Sequence, residues 1–300
     1  MSTEIKVTMP AAVAEESFAA RPSVFRQLLR RPSAVFGMLV IGTLIVLFLF
    51  GPYIAPYPHT EQNISRRLEA PSADYLLGTD HLGRDLLSRL IIGTRVALGT
   101  AIPSVLAALT AGLIIGLVAG YTGGWVDNVI LVFMDAMQAF PALLLALALM
   151  ALLDPSVNNV ILVIAIAYTP GYARIVRAQV LSVKEEPFIE VERSFGASHV
   201  RISLVHIVPN LLAPLLILLA MDLPAAIATE AGLSFLGLGV RPPATSWGGI
   251  LSDGFQKIRT TPWPVIGGAL ALMITTLGFT LFGEALRDIL DPRVSGSRRA

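Results

Sequence analysis

Six stretches of this chain contain no Asp, Glu, Lys or Arg, and their lengths constrain its fold more than any other feature. Each stretch is close to the roughly 20 residues that an α-helix needs to cross a hydrocarbon core of about 30 Å. The charge-free stretches are residues 32–60, 96–126, 136–153, 155–173, 202–221 and 260–283. They predict an all-α membrane protein with six transmembrane helices, near residues 34–55, 96–121, 128–152, 157–177, 208–231 and 264–285.

The composition agrees with a membrane protein and excludes several other classes. Charged residues are 14% of the 300 residues and mean hydropathy is +0.71, whereas about 25% of residues are charged in soluble proteins. The formal net charge is only +1, so the basic excess that drives nucleic-acid binding is missing. The chain has no Cys and four His, so we expect no bound metal, no cofactor and no thiol chemistry.

Charge near the first span predicts the orientation. Arg21, Arg26, Arg30 and Arg31 precede this span, and the positive-inside rule keeps such a segment in the cytoplasm. An even number of spans returns the C-terminus to the same side. The predicted organisation is a polar, irregular cytoplasmic tail (1–33), a first helix with its extracytoplasmic connection (34–95), a core transmembrane domain (96–287) and a cytoplasmic C-terminal tail (288–300).

The two long outer connections carry different patterns. In the first, Leu86, Leu87, Leu90 and Ile91 would share one face of a short helix that Gly93 could end, which predicts an amphipathic helix lying in the outer membrane interface. The second runs from residue 234 to 263 and is rich in Gly, Pro and aromatic residues. It could enter a vestibule or meet an extracytoplasmic partner, or its Trp residues could simply anchor it at the interface.

Span two contains Gly112, Gly116 and Gly120 at four-residue spacing. Small residues in this pattern let another helix approach closely. The pattern predicts helix packing, without indicating whether the partner helix belongs to this chain or to another subunit.

The cytoplasmic segment 178–206 is predicted to be a folded coupling loop. Pro187 is suited to the first position of a helix and Gly196 to a left-handed stop, and Ser198 could cap a second helix running towards Pro209. Phe188, Val191 and Phe195 would then form an apolar side of a helix of about two turns. Such a short helix is unstable alone in water, so it must be seated either on its own bundle or on a separate cytoplasmic protein.

Ionisable residues inside spans are candidates for function, because inserting them into a bilayer is costly. Asp135, Asp222 and Glu230 lie within predicted spans. They could line the path of a solute, or they could form polar pairs within or between subunits. A stand-alone channel or secondary carrier therefore stays open as an alternative, although no inverted repeat is visible.

Enzymatic motifs are absent from the sequence. There is no phosphate-binding G-x-x-x-x-G-K-[ST] and no H-E-x-x-H. Ser234 stands in a Gly-x-Ser pattern used by intramembrane serine proteases, but His59, His81, His199 and His206 all fall outside the depth of the spans, so no base is available to it. We expect a protein without catalytic activity.

Three separated motifs resemble a known family. Glu190-Val191-Glu192-x-x-x-Gly196 with His206-Ile207-Val208-Pro209 is similar to the EAA loop of ABC-importer permease subunits, written E-A-A-x3-G-x9-I-x-L-P, with departures at Val191, Glu192, His206 and Val208. The segments 77–90 and 233–248 resemble signatures of the C-type subunit of dipeptide and oligopeptide permeases. The likeness covers roughly residues 25–292.

This resemblance implies a type I importer permease fold in a bacterial inner membrane. It implies that Phe188, Glu190, Val191, Phe195, Gly196, Ala197 and Pro209 belong to a coupling helix and its surroundings, seated on a separate ATPase subunit. It further implies a homologous second permease chain, two ATPase subunits that bind ATP and Mg²⁺, and an extracytoplasmic solute-binding protein. Peptides are the implied cargo, with nickel and glutathione as alternatives, since importers of both share these motifs.

Overall fold

The computed structural model of the chain describes residues 24–290. In this range the helices are α1 (Val24–Leu29), α2 (Pro32–Ile54), α3 (Leu86–Thr122), α4 (Gly124–Gln138), α5 (Ala142–Met150), α6 (Val157–Val183), α7 (Pro187–Ser194), α8 (His199–Phe235), α9 (Trp247–Phe255) and α10 (Trp263–Leu290). Residues 24–290 contain no β-strand, and the one isolated bridge among them joins Thr79 and Asp85. Residues 1–23 of the predicted N-terminal tail (1–33) and residues 291–300 of the predicted C-terminal tail (288–300) lie outside the described range.

Helices α2, α3, α6, α8 and α10 are each long and apolar enough to cross a membrane. The predicted continuous helix at 128–152 is wrong, because α4 and α5 meet at an angle of 88°. Pro141 lies in the break. It has no N–H to donate and disfavours helical backbone at the residue before it. The described chain therefore has five spans, or six if the bent pair crosses the membrane as one.

The separate interfacial helix predicted at the start of span two is also wrong. Helix α3 runs without interruption from Leu86 to Thr122. Its first turn is capped by Asp85, whose Oδ2 accepts a hydrogen bond from the Ser88 N–H at 2.8 Å. Gly93 does not end a helix. It instead makes room for an indole, since a Cβ atom at this position would lie 2.7 Å from Cδ1 of Trp247.

The glycine stripe of α3 packs against α6 of the same chain. A Cβ atom at Gly116 would lie 2.7 Å from Cβ of Val176, and one at Gly120 would lie 2.9 Å from Cβ of Val180. At Gly112 the nearest neighbours are Tyr172 and the backbone of Ala173. The stripe therefore brings two long helices of one bundle together, which answers the question that the sequence left open.

Two elements begin earlier than predicted. The tail, expected to be irregular, forms α1 from Val24, and its Leu28 is buried with Ala34 and Ala285. Helix α8 begins at His199, not at residue 208. As predicted, Ser198 caps it, with Oγ accepting from the Arg201 N–H at 3.3 Å.

Helix α8 stays continuous through a π-helical segment, Ile202–Ile207, just before Pro209. Because Pro209 has no N–H for the Val205 carbonyl, the regular α-helical bonding is interrupted there. The N–H of Val208 bonds to the Ser203 carbonyl instead. The end of the coupling loop, from His199 onwards, and the span after it are thus one helix.

The bundle has two ends, defined by the short helices that lie there. At the α7 end, Tyr121 at the end of α3 hydrogen-bonds His199 at the start of α8, with 2.7 Å between the phenol oxygen and Nδ1. At the α9 end, Nε1 of Trp247 donates to the Leu90 carbonyl at 2.9 Å. The first bond therefore joins two long helices at the α7 end, and the second holds the short helix α9 against α3 at the other end.

Candidate functional site

Helix α7 has the boundaries that local chemistry predicts. Pro187 is its first residue, where a missing N–H costs nothing. Gly196 follows it with a positive φ of 77°. The N–H of Ala197 bonds to the Glu192 carbonyl at 3.1 Å and that of Gly196 to Arg193 at 2.9 Å, which is the Schellman pattern of a glycine stop. The helix therefore ends where the chain must turn towards α8.

The apolar residues of α7 are divided between two faces. Ile189 is fully buried and belongs to the main hydrophobic core, together with Ile202 and Ile207 of the π segment. Phe188, Val191 and Phe195 are 43%, 53% and 83% exposed. We call these three residues the α7 knob. The bundle thus holds α7 from one side and leaves an apolar surface on the other, which is unusual in water unless another surface covers it.

Polar groups surround the knob. Glu190 and Arg193 are exposed, and the Glu192 carboxylate lies 3.6 Å from Nε2 of His206. The His206 ring also lies beside Phe188, with 6.4 Å between ring centroids. Of the other predicted residues, Pro209 is exposed and Ala197 packs against the main core. The sequence analysis missed Ile189, although its position opposite the knob on a helical wheel is a usable signal.

The ionisable residues of the bent pair form ion pairs with α6. Asp135, predicted as a pathway or intersubunit residue, contacts Arg174, and both side chains are exposed. Asp127 accepts two hydrogen bonds from Arg177, with Nη2 at 2.6 Å from Oδ2. These pairs join α4 to α6, the first near the break and the second at the start of α4. The second pair could not be predicted from the sequence, since its two residues lie 50 positions apart.

Asp222 and Glu230 are the two predicted residues whose carboxyl groups make no ion pair with any residue in 24–290. Asp222 is half-buried in the middle of α8. The hydroxyl groups of Tyr168 and Tyr172 from α6 lie near it. That of Tyr168 is within 3.1 Å of the Thr229 hydroxyl. The result is a small polar cluster between α6 and α8 inside an otherwise apolar bundle.

Glu230 lies near the other end of α8 and is completely buried. The Ser234 hydroxyl donates to its Oε1 at 2.7 Å, and the same hydroxyl accepts from the Val240 N–H at 3.3 Å. Oε2 has no hydrogen-bond partner among the described residues. Ser234 is therefore occupied in holding the end of α8 and the following loop together, an arrangement unlike that of an activated nucleophile.

The motif at residues 77–90 forms a compact structure at the α9 end. Oδ1 of Asp80 accepts from the N–H groups of Leu82 at 2.8 Å and Arg84 at 3.0 Å, and Oδ2 accepts from the Arg84 side chain at 2.6 Å and from Arg89. Burial raises the pKa of the Asp80 carboxyl, but Arg89, Arg84 and the backbone N–H of Arg84 together lower it further. Its pKa therefore lies below the ordinary value, and the group is ionised at neutral pH.

This structure is joined to α9 by charge and by packing. Asp253 of α9 lies 3.6 Å from Arg89 and 3.7 Å from Arg84. Trp247 is only 2% exposed, so the alternative of an interfacial anchor is wrong for this residue. Its indole fills the space above Gly93. The two outer connections consequently form one body at this end.

The sequence matches two known families along most of its length. Residues 112–296 match the family described as binding-protein-dependent transport system inner membrane component, and residues 23–71 match the N-terminal TM domain of oligopeptide transport permease C. The dipeptide transport system permease protein DppC of Alkalihalophilus pseudofirmus is 40% identical over 270 residues, which cover 90% of this chain and 89% of the relative. The glutathione transport system permease protein GsiD is 38% identical in Pectobacterium atrosepticum over 271 residues, 90% of each chain, and 40% identical in Shigella flexneri over 273 residues, covering 91% of this chain and 90% of the relative.

These matches agree with the architecture described above: all helical across residues 24–290, with five or six helices able to span a membrane. They also agree with the C-type resemblance of the sequence motifs. The chain is thus a multi-pass inner-membrane protein that belongs to the family of binding-protein-dependent transport system inner membrane components, the permease subunits of ABC importers.

Proposed function

We propose that this chain forms half of a peptide pathway across the inner membrane and that α7 is the coupling helix through which separate ATPase subunits drive it. A homologous second permease forms the other half, and an extracytoplasmic binding protein delivers the cargo. ATP and Mg²⁺ are bound by the ATPase subunits, so this chain hydrolyses nothing. The exposed α7 knob is the single observation that carries the proposal.

Exposure on one face and burial on the other support this role for α7. A lever must be fixed to the part that it moves, and Ile189, buried in the core of the bundle, supplies that attachment. It must also offer a surface to the motor, and the three knob residues supply it, with Glu190 at the rim. The left-handed Gly196 then directs the chain into α8, so a push on α7 reaches a helix that crosses the whole bundle.

The proposed orientation follows from α7. If the α7 end faces the cytoplasm, the bent pair α4–α5 completes a sixth span, both termini are cytoplasmic, and the α9 end faces the binding protein. The basic residues before α2 support this orientation. In domain terms, the first helix and outer connection (34–95) flank the core domain (96–287), which contains the coupling loop at 178–206.

Peptide cargo is supported by the names of the relatives. DppC is named as a dipeptide permease and GsiD as a glutathione permease. Glutathione is itself a small peptide, so both names support a short peptide backbone as the cargo class. Glutathione is the second candidate cargo, because the glutathione permease of Shigella flexneri is also 40% identical to this chain.

In mechanism, closure of the two ATPase subunits would bring the paired coupling helices together. Helix α8, rigidly continuous from His199, would then tilt and open the pathway towards the α9 end. No covalent chemistry in this chain is needed, because the event is rigid-body switching between two arrangements. Asp222 lies in α8, where a solute in transit could meet its carboxyl group.

The test is assembly of the complete transporter in nanodiscs, with ATP hydrolysis measured as a function of loaded binding protein. In the double variant Phe188→Ser, Val191→Ser we expect loss of stimulation by the binding protein with normal membrane insertion. The control Tyr53→Ser changes a still more exposed aromatic residue at the α9 end and should keep full stimulation. Normal stimulation in the double variant would contradict the role of α7.

A further inference from the structure

Two adjoining cavities at the α9 end share a pair of nitrogen-bearing side chains. One has a volume of about 310 Å³ and the other about 330 Å³, and Arg95, His59 and Ile92 line both. These volumes fall at the lower end of the range of ligand pockets, about 300–1,000 Å³. The walls come from four separate segments: the end of α2, the outer part of α3, the start of α6 at Val157 and the α8–α9 loop at Thr245.

Arg95 has no acidic partner in the described part of the chain. It makes no ion pair with residues 24–290, whereas Arg84 and Arg89 nearby are satisfied by Asp80 and Asp253. No Asp or Glu lines either cavity. Arg95 is therefore an exposed cation in the wall of both cavities, with its charge available to something from outside the chain.

His59 lines both cavities beside Arg95. Burial together with the charges of Arg89 and Arg84 lowers its pKa, and its ring hydrogen-bonds the backbone of Pro243 in the α8–α9 loop. A neutral imidazole has one N–H, so this bond leaves the Arg95 guanidinium as the group that faces an incoming anion. A guanidinium suits a planar oxyanion, which it can bind through two N–H groups.

We propose that Arg95, with His59 beside it in the wall, forms an anion site at the α9 end that receives a carboxylate of the cargo as the binding protein releases it. This inference rests on the proposed function, since that function makes the α9 end the entrance. It assigns a chemical class to one end of the cargo: a free carboxylate, such as the C-terminus of a short peptide.

A lipid phosphate is the other oxyanion available in a membrane, and the shape of the recess favours the carboxylate. The cavity around the end of α2 is lined by Pro56, Tyr57 and Pro58, which lie beyond the apolar span. The aliphatic groove of the molecule is a separate one, lined by Phe36, Leu44 and Ile274. If a phospholipid headgroup bound at Arg95, its acyl chains would not lie in that groove.

The experiment measures uptake into proteoliposomes that contain the complete transporter and saturating binding protein. The probes are the dipeptide Ala-Ala and its C-terminal amide, each compared in wild type and Arg95→Gln. We expect the KM for Ala-Ala, measured by varying the concentration of loaded binding protein, to be about ten-fold higher or more in Arg95→Gln than in wild type. This is the effect of losing a charge-assisted hydrogen bond. The amide should be unaffected, and Arg95→Lys should restore part of the difference.

Controls separate the other outcomes. Arg67→Gln removes an exposed arginine of the same connection that lines neither cavity and should leave both probes unchanged. Equal loss for acid and amide, or an Arg95 effect seen only in vesicles that contain phosphatidylglycerol and not in pure phosphatidylcholine, would overturn the proposal. Absence of ATP-driven uptake in wild type would instead refute the proposed function.

Discussion

The two faces of α7 give the sharpest prediction, because substitutions of an exposed and of a buried apolar residue should have different effects. Phe195 is 83% exposed, so replacing it with Ala removes little that stabilises the fold. If an ATPase groove buries this ring, its loss costs roughly 1.5–3 kcal/mol of docking energy. That is about ten- to 150-fold in affinity. Ile189 is fully buried, and Ile189→Ala should cost about 2–5 kcal/mol of stability.

The assay compares two quantities for each variant. Affinity is measured by titrating purified ATPase onto the permease pair in nanodiscs, and stability by thermal unfolding of the same sample. Phe195→Ala should weaken ATPase binding while keeping the wild-type unfolding temperature, and Ile189→Ala should lower the unfolding temperature. The reasoning is refuted if Phe195→Ala binds ATPase as wild type does, or if it unfolds as early as the Ile189 variant.

Three further predictions concern packing, charge and the pathway. Gly116→Leu should overpack the α3–α6 contact, destabilise the fold by about 1–3 kcal/mol or more and lower the unfolding temperature. Gly42→Ala, with no atom within 4 Å of the added Cβ, should leave the unfolding temperature unchanged. Equal effects of the two variants would contradict the role of the glycine stripe in helix packing. Asp80→Asn should cost about 1.5–3 kcal/mol at pH 7, because it removes the carboxylate nearest to Arg84 and Arg89 and leaves them only the more distant Asp253. Because the folded pKa of Asp80 lies below the ordinary value of about 3.9, the carboxylate stabilises the fold above that pH and loses this effect as the pH falls through the folded pKa, so the two unfolding curves should converge in acid. Asp222→Asn should lower uptake while the second permease still copurifies, and loss of copurification would place Asp222 at the subunit interface instead.

Hydropathy and the residues that cap or stop helices are enough to predict most of the fold. The helices expected near 34–55, 157–177 and 264–285 are present within a few residues of their predicted ends, because long apolar runs have few alternatives in a membrane. The left-handed Gly196 and the cap at Ser198 were equally predictable. Both depend on one residue and its immediate neighbours, so no distant contact can change them.

The sequence-based predictions were wrong where a residue distant in the sequence determines the local structure. Gly93 would be expected to stop a helix, but α3 is continuous through it, and the glycine makes room for Trp247, 154 positions later in the sequence. Pro141 breaks its helix whereas Pro103, Pro170, Pro214 and Pro224 do not, and this difference cannot be derived from periodicity. Ile189 could not be recognised as the buried residue because the other three apolar positions, Phe188, Val191 and Phe195, share one side of the helix and dominate the pattern.

The central claim is that α7 sits in a separate ATPase, and a single introduced cysteine tests it most directly. The chain has no native cysteine, so Val191→Cys provides one attachment point on the α7 knob for a short photo-crosslinker. In the assembled transporter we predict a crosslink to the ATPase subunit, and none from Tyr53→Cys at the opposite end. A Val191 probe that reacts only within its own chain or with lipid, while the complex remains intact, would contradict the account.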